Sequence, residues 1–262
     1  MTLTTTADAA AAARWVRRLR PVERPRARLL CLPAAGGSAS AFYTWAERMP
    51  EGVELLAAQY PGHQDRFAEP CLPTVVELAD ALAPLLATYA DRPLHLFGHS
   101  LGAMIGYEVA VRLEAGPGPG PTALFVSGSY APHRATPYPH EITDAELEED
   151  IRGFSWIDPQ ILDVPELRAL VLPSLMTDIR AAMVYRPVDP VRLNCPVFAY
   201  GGSGDLSGTP EELAAWREIS AEQGAWRQFE GDHFYLLANE AELVADIVSR
   251  MSDCAKASVG HL

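Results

Sequence analysis

The sequence predicts an α/β fold: a mostly parallel central sheet with helices on both faces and one helical lid insertion. Three observations predict it. Apolar runs of strand length alternate with amphipathic stretches of helix length, the pattern of a sheet buried on both faces. The alternation stops between residues 134 and 186, where only helical periodicity is found. A serine between two glycines, Gly98-His99-Ser100-Leu101-Gly102, sits where one apolar run gives way to a helix.

The elements follow in order. Residues 1–24 read as an N-terminal tail, frayed to residue 12. Its basic residues come after the alanine run Ala9–Ala13 rather than before it, the reverse of a secretory signal. Leu29–Leu32 is the first strand, ended by Pro33, and Ala39–Arg48 is a helical stretch. Val53–Ala58 is the next strand, closed by Pro61-Gly62. Thr74 caps a helix with Glu77 in the capping-box position, and Pro84 should kink it. Leu94–Phe97 leads into the serine turn, and Leu101–Leu113 is the helix beyond it. The alternating Gly-Pro stretch 116–121 is a surface loop. Ala123–Val126, Val197–Tyr200 and Ala225–Phe229 complete the strands.

In the insertion Thr143 caps a helix with Glu146, and Leu147 and Ile151 share one face. Leu167, Leu170, Val171, Leu175, Ile179 and Met183 form an apolar stripe, kinked or broken at Pro173. The resulting division is a core of residues 25–133 and 187–252, a lid of 134–186 and a C-terminal tail of 253–262.

Bulk properties exclude several classes. No run is long and apolar enough to span a bilayer, so the chain reads as cytoplasmic with no membrane partner. A net charge of −13 disfavours general nucleic-acid binding. The cysteines Cys31, Cys71, Cys195 and Cys254 form no CxxC pair and read as reduced thiols, so no metal site is expected. The arginines from Arg14 to Arg28 read first as a solvated strand edge and second as a docking patch for an acidic partner.

The GxSxG pentapeptide between strand and helix is the nucleophile elbow of the α/β-hydrolase fold. Serine needs a base to become nucleophilic, and this fold runs Ser, acid, His along the chain. Of the seven histidines, His233 has the right place, in a glycine-containing loop between a strand and a helix late in the chain. Asp205 fits the acid, in the loop after the strand Val197–Tyr200, and Asp232 is its rival. The oxyanion needs two donors: the backbone N–H of Leu101, and Ala35 in the loop Pro33–Ser38. Ile179 and Met183 of the stripe are the candidate substrate-binding residues.

The sequence resembles the type II, or editing, thioesterases that accompany modular polyketide and nonribosomal peptide synthases. The matching segments are Leu32–Ser38, Tyr60-Pro61-Gly62 with Arg66, Gly98–Ala103, Phe125–Gly128 with Ala131, Pro132 and Arg134, Leu172-Pro173 with Asp178 and Arg180, Tyr185-Arg186, Gly201-Gly202 with Asp205, and Gly231 with His233-Phe234. They run in family order from about residue 25 to 250. The resemblance implies hydrolysis of acyl or peptidyl thioesters on the phosphopantetheine arm of carrier proteins. It implies no cofactor of the enzyme's own, since the arm belongs to the substrate. The chain is expected to act as a monomer. Two positions depart from the family pattern: His63 stands where arginine is usual, and Ala34 where histidine is frequent. The alternatives are a small-molecule carboxylesterase or lipase, and a non-catalytic synthase-binding partner.

Overall fold

The computed structural model describes residues 6–135, 142–152, 159–222 and 224–259. In chain order the elements are α1 (Thr6–Trp15), β1 (Val16–Arg20), β2 (Ala27–Leu32), β3 (Val53–Ala58), α2 (Val75–Leu86), β4 (Leu94–His99), α3 (Leu101–Ala115), β5 (Ala123–Ser127), α4 (Asp144–Arg152), α5 (Pro159–Asp163), α6 (Pro165–Val184), β6 (Val197–Gly202), α7 (Pro210–Ala215), β7 (Ala225–Phe229), α8 (Tyr235–Ala238) and α9 (Glu240–Val259). The strands form one seven-stranded sheet ordered β1-β3-β2-β4-β5-β6-β7. Every neighbouring pair is parallel except β1 against β3.

Burial explains the strand composition. β3, β4, β5 and β6 are buried at every residue, as strands covered on both faces must be. Leu30, Leu32, Leu56, Leu96, Leu124 and Val126 point to one face, against Leu78 and Leu82 of α2 and Ile105 and Val109 of α3. Leu29, Leu55, Phe97, Phe125, Phe198 and Tyr200 point to the other, against Phe42, Trp45 and Leu243, Val244 and Ile247 of α9. Both caps form: Thr74 accepts from the Glu77 N–H, and Thr143 and Glu146 bond reciprocally in a full capping box.

Four sequence-based expectations are corrected. Residues 6–20, placed in the tail, are ordered structure: α1 packs on α2, and β1 is an antiparallel edge strand, Val16 facing Ala58 and Arg18 facing Leu56. The strand escapes a hydropathy reading because its arginines are held by partners distant in the chain: Arg17 by Asp65, Arg18 by Glu54, Arg20 by the Pro50 and Val53 carbonyls. Nor is 253–259 a tail, since α9 continues to Val259, its apolar stripe running through Met251 and Cys254. Ala39–Arg48 is two short 3₁₀ turns, 39–42 and 44–48, rather than a helix. Finally, α6 runs unbroken through Pro173. Pro173 and Ala169 both lie on the exposed side, where water satisfies the carbonyl that loses its N–H partner.

One polar knot lies under the sheet edge. The Glu54 side chain, 1% exposed, bonds Arg18 and Arg28, and Arg28 also pairs with Asp91. Arg28→Leu would leave a buried carboxylate without its inner partner, so it should destabilise the protein by about 3 kcal/mol or more in urea unfolding. The double variant with Glu54→Leu should recover most of that loss. A single variant as stable as the parent would show that the knot contributes nothing.

Candidate active site

In the sheet, β2 is followed in sequence by β3 on one side and neighboured by β4 on the other. The chain therefore reverses direction across the sheet between β2 and β4. Ligand sites of open parallel sheets lie outside the carboxyl ends of strands at such a switch. Leu32 pairs with Gly98 there, so the loop after β2 and the turn after β4 emerge side by side.

Ser100 occupies that turn with φ 55° and ψ −119°, a region that side chains rarely adopt. The strain is imposed from both sides. Its N–H donates to the Ser127 carbonyl at 2.8 Å, and its carbonyl accepts from the Ala103 N–H at 2.9 Å. A Cβ at Gly98 would collide with the backbone of Gly102, and one at Gly102 with the carbonyls of Leu32 and Pro33. The glycines thus let α3 begin hard against the end of β2. Leu101 is the first residue of α3, so its N–H is among those a helix leaves without an internal partner.

His233 and Asp205 arrive from the loops after β7 and β6. The Asp205 carboxylate lies 2.7 Å from His233 Nδ1, leaving Nε2 as the ring nitrogen free of that bond. Ser207 holds the carboxylate with its N–H and its hydroxyl, at 3.1 and 2.9 Å. Burial works to raise the Asp205 carboxyl, but the bond and charge of His233 and the two Ser207 donors outweigh it, so the group sits below the usual carboxylate range. Asp232, the rival, accepts from the Phe234 N–H at 2.9 Å and shapes the turn. Of the other histidines, His133 meets Glu218, His95 is buried under the sheet, and His140 and His261 lie outside the described residues.

His99 was not singled out by sequence reasoning. Its ring lies 4.9 Å, centroid to centroid, from that of His233 and is fully buried. Nδ1 bonds the Ser127 hydroxyl at 2.9 Å, which in turn bonds the Tyr235 hydroxyl at 2.7 Å. Burial, with the nearby His233 adding to it, pushes His99 down to about 3, so the ring is neutral. Gly128, at φ 58°, closes this packing: a Cβ there would stand 2.7 Å from His99 and 3.2 Å from His233. No pattern in the sequence marks His99, because a histidine beside the serine reads only as the variable residue of GxSxG.

The loop after β2 carries the other expected donor, Ala35. The Gly37 N–H is spent on the Ala34 carbonyl and the Gly36 N–H on Asp178 of α6, each bond near 2.9 Å. Ala35, Ile179 and Met183 are half-buried and pack on the insertion's apolar cluster of Leu147, Ile151, Leu162, Leu172 and Leu175. Leu167 and Leu170, expected in the same stripe, are exposed instead, because the first turns of α6 extend past the cluster. A cavity of about 420 Å³ runs along the outer side of α6, lined by Asp144, Arg168, Leu172, Met176 and Arg180 among others; it includes none of Ser100, Asp205 and His233. His63, which departs from the family pattern, is buried.

Three further observations bear on partners and cofactors. Among the described residues no His, Cys, Asp or Glu cluster is arranged to hold a metal. No described helix is long and apolar enough to cross a membrane. Arg14, Arg17, Arg18, Arg26 and Arg28 are engaged with Glu69, Asp65, Glu54, the Glu51 carbonyl and Asp91, which argues for the strand-edge reading of the N-terminal arginines.

Comparison with known proteins fixes the family. The thioesterase domain model matches residues 27–251. Thioesterase PikA5 of Streptomyces venezuelae is 41% identical over 235 residues, covering 89% of this chain and 84% of its own. The type II thioesterase BorB from the borrelidin biosynthetic cluster superposes with a TM-score of 0.80 at 37% identity, over 90% of this chain and 96% of that one. RedJ, a thioesterase of prodiginine biosynthesis in Streptomyces coelicolor, does so at 0.77 and 34% identity, over 88% and 96%. With its elbow, its sheet order and this match along the whole core, the chain belongs to the thioesterase family and is a thioester hydrolase.

Proposed function

We propose that this thioesterase strips acyl groups from the phosphopantetheine arm of carrier proteins, clearing stalled or aberrant intermediates from a polyketide or nonribosomal peptide synthase. Ser100, His233 and Asp205 are its triad. The observation that carries the triad is the short His233–Asp205 bond, set beside a strained serine at the switch point of the sheet. Relatives named for borrelidin and prodiginine biosynthesis support the carrier-bound substrate.

The chemistry then runs in two halves. Ser100 Oγ attacks the thioester carbon while His233 Nε2 takes its proton. The carbonyl oxygen becomes an oxyanion facing the N–H groups of Leu101 and Ala35. Engagement of the Gly36 and Gly37 N–H groups elsewhere favours Ala35 as the loop's donor. The tetrahedral carbon expels the pantetheine thiolate, which receives the proton from His233. Water then attacks the acyl-serine with His233 as base, releasing the free acid and restoring Ser100. The lowered Asp205 carboxyl stays ionised at neutral pH and stabilises the imidazolium at each stage. His99 packs against that ring without a charge of its own, so it supports the imidazolium with no repulsion. The enzyme needs no cofactor for these steps, and the pantetheine arm enters as substrate.

Ile179 and Met183 share the insertion's apolar cluster with Ala35, which supports their placing the acyl chain. Each buried methylene contributes about 0.8 kcal/mol, so the space beside them sets a length preference. Met183→Ala should shift kcat/KM across a series of acyl thioesters toward longer chains, and Met183→Trp toward acetyl and propionyl. Unchanged profiles in both would remove Met183 from the acyl path.

Mass spectrometry of acyl carrier proteins, compared with nitrophenyl-ester turnover, tests the substrate; preference for the simple ester would favour a carboxylesterase. Ser100→Ala and His233→Ala should each lower kcat by several orders of magnitude, with the double variant hardly worse, because the two act as a unit. Asp205→Asn should be strongly impaired and Asp232→Asn only slightly. A more damaging Asp232→Asn would refute the acid assignment.

A further inference from the structure

Three elements meet at one carboxylate. Asp178 projects from the middle of α6, 2% exposed, and a single oxygen of it, Oδ2, makes two contacts. It accepts from the Gly36 N–H at 2.8 Å, the residue after Ala35. It also lies 2.9 Å from His63 Nε2. On its other side His63 Nδ1 lies 3.0 Å from the Pro61 carbonyl. A carbonyl can only accept, so Nδ1 must carry a proton. The carboxylate oxygen, already accepting from Gly36, calls for a second donor, so Nε2 must carry one as well. Against a carboxylate at Asp178 only the imidazolium satisfies both neighbours; a neutral ring would then set a lone pair against an oxygen on one side or the other.

The other groups facing His63 leave its charge to Asp178. Among the described residues Arg66 is the cation that acts on His63, and it is taken up by both oxygens of Glu69 and by the Gln59 carbonyl. Tyr60, whose ring stands 6.1 Å from that of His63, and Cys71 beside Gly62 are both pushed up, chiefly by burial, and stay neutral. Burial works to lower His63, but the bond and charge of Asp178 and the Pro61 carbonyl outweigh it and Arg66 together, so the proton is held above the ordinary histidine range. The loop is also pinned sterically. Gly36 has φ 68°, and a Cβ there would stand 2.8 Å from the Leu175 side chain of the same helix.

We propose that Asp178 is a positioning residue of the oxyanion hole, held in place by a buried His63 imidazolium, so that the insertion helix and the Ala35 donor form one mechanical unit. The proposal rests on Ser100 and Ala35 having the roles given above. It makes the insertion a fixed wall of the catalytic machinery at Asp178, whatever movement its outer helices undergo. It also gives the site a charge that disappears as pH rises through the raised pKa of His63, which loosens the loop on the alkaline side.

The test uses a short acyl-thioester of N-acetylcysteamine, whose turnover needs no carrier contact. Asp178→Asn keeps the shape but removes the charge that strengthens both bonds. Its kcat should fall roughly 10- to 100-fold, less than the 10²–10³ of outright donor loss, with KM within about twofold because Asp178 does not touch substrate. Amide hydrogen exchange of the peptide 33–38 should quicken in the same variant. His63→Arg carries a charge that does not titrate, so the ratio of kcat at pH 9.5 to that at pH 7.5 should be higher than in the parent. Parent-like kcat in a folded Asp178→Asn, a loss confined to KM, or superimposable alkaline limbs for parent and His63→Arg would each overturn the proposal. Should Asp178→Asn not fold, the comparison of the two pH profiles decides alone. Ser100→Ala, run alongside, separates the two levels: turnover surviving in it would sink the site assignment itself, whereas an inert Ser100→Ala with a normal Asp178→Asn sinks only the role of Asp178.

Discussion

The start of α3 presses directly against the end of β2, and the catalytic end of the fold depends on that approach. Gly98 and Gly102 have no room for a side chain, so the helix begins where the sheet ends and the chain turns through a conformation unfavourable for Ser100. A strained residue persists only when its surroundings over-determine it. Here the bond to the Ser127 carbonyl, the bond from Ala103 and the fully buried strands on both sides do so. The outcome is a serine displayed above the sheet, with a helix N-terminus beneath it and the loop after β2 beside it.

The support for the histidine is built in the same way, by neighbours that leave it few alternatives. Asp205 holds one ring nitrogen and is itself held by Ser207. His99 underlies the ring and is fixed through Ser127 to Tyr235, the residue that opens α8 just past the histidine loop. Strands β4, β5, β6 and β7 each contribute a member at their carboxyl ends, so the register of the parallel sheet is what sets the geometry. This is the advantage of placing a site on rigid strand ends, where a shift of one residue in any strand would misplace every group.

The helical insertion is less separate from the core than an added lid would be. Its outer part carries exposed apolar residues and ion pairs such as Arg168 with Glu148. Its inner part is buried through Leu175, Asp178 and Ala181, and Tyr185 at its end donates to Glu108 of α3 at 2.7 Å. Interaction energy is therefore concentrated at the helix's inner half, next to the oxyanion loop, and thins toward solvent. A gradient of this kind permits local opening at the outer end without disturbing the catalytic loop.

The sequence by itself determined the sheet class, the inner strands, the serine elbow and the chain order that points to His233 and Asp205. Those features are local: an apolar run, a capping box or a glycine-bounded turn is specified by residues that are neighbours in the chain. The edge strand Val16–Arg20 was not legible, because its arginines are neutralised by Asp65 and Glu54, far along the chain. The unbroken course of α6 past Pro173 depended on which side of the helix faces water. His99, His63 and Asp178 gave no local signal either. Each matters through a partner that only folding brings near: Ser127 for His99, and for His63 an aspartate 115 residues away that also grips Gly36. Tertiary structure alone decided these, since a buried polar group has to find its partner wherever the packing of the chain delivers one.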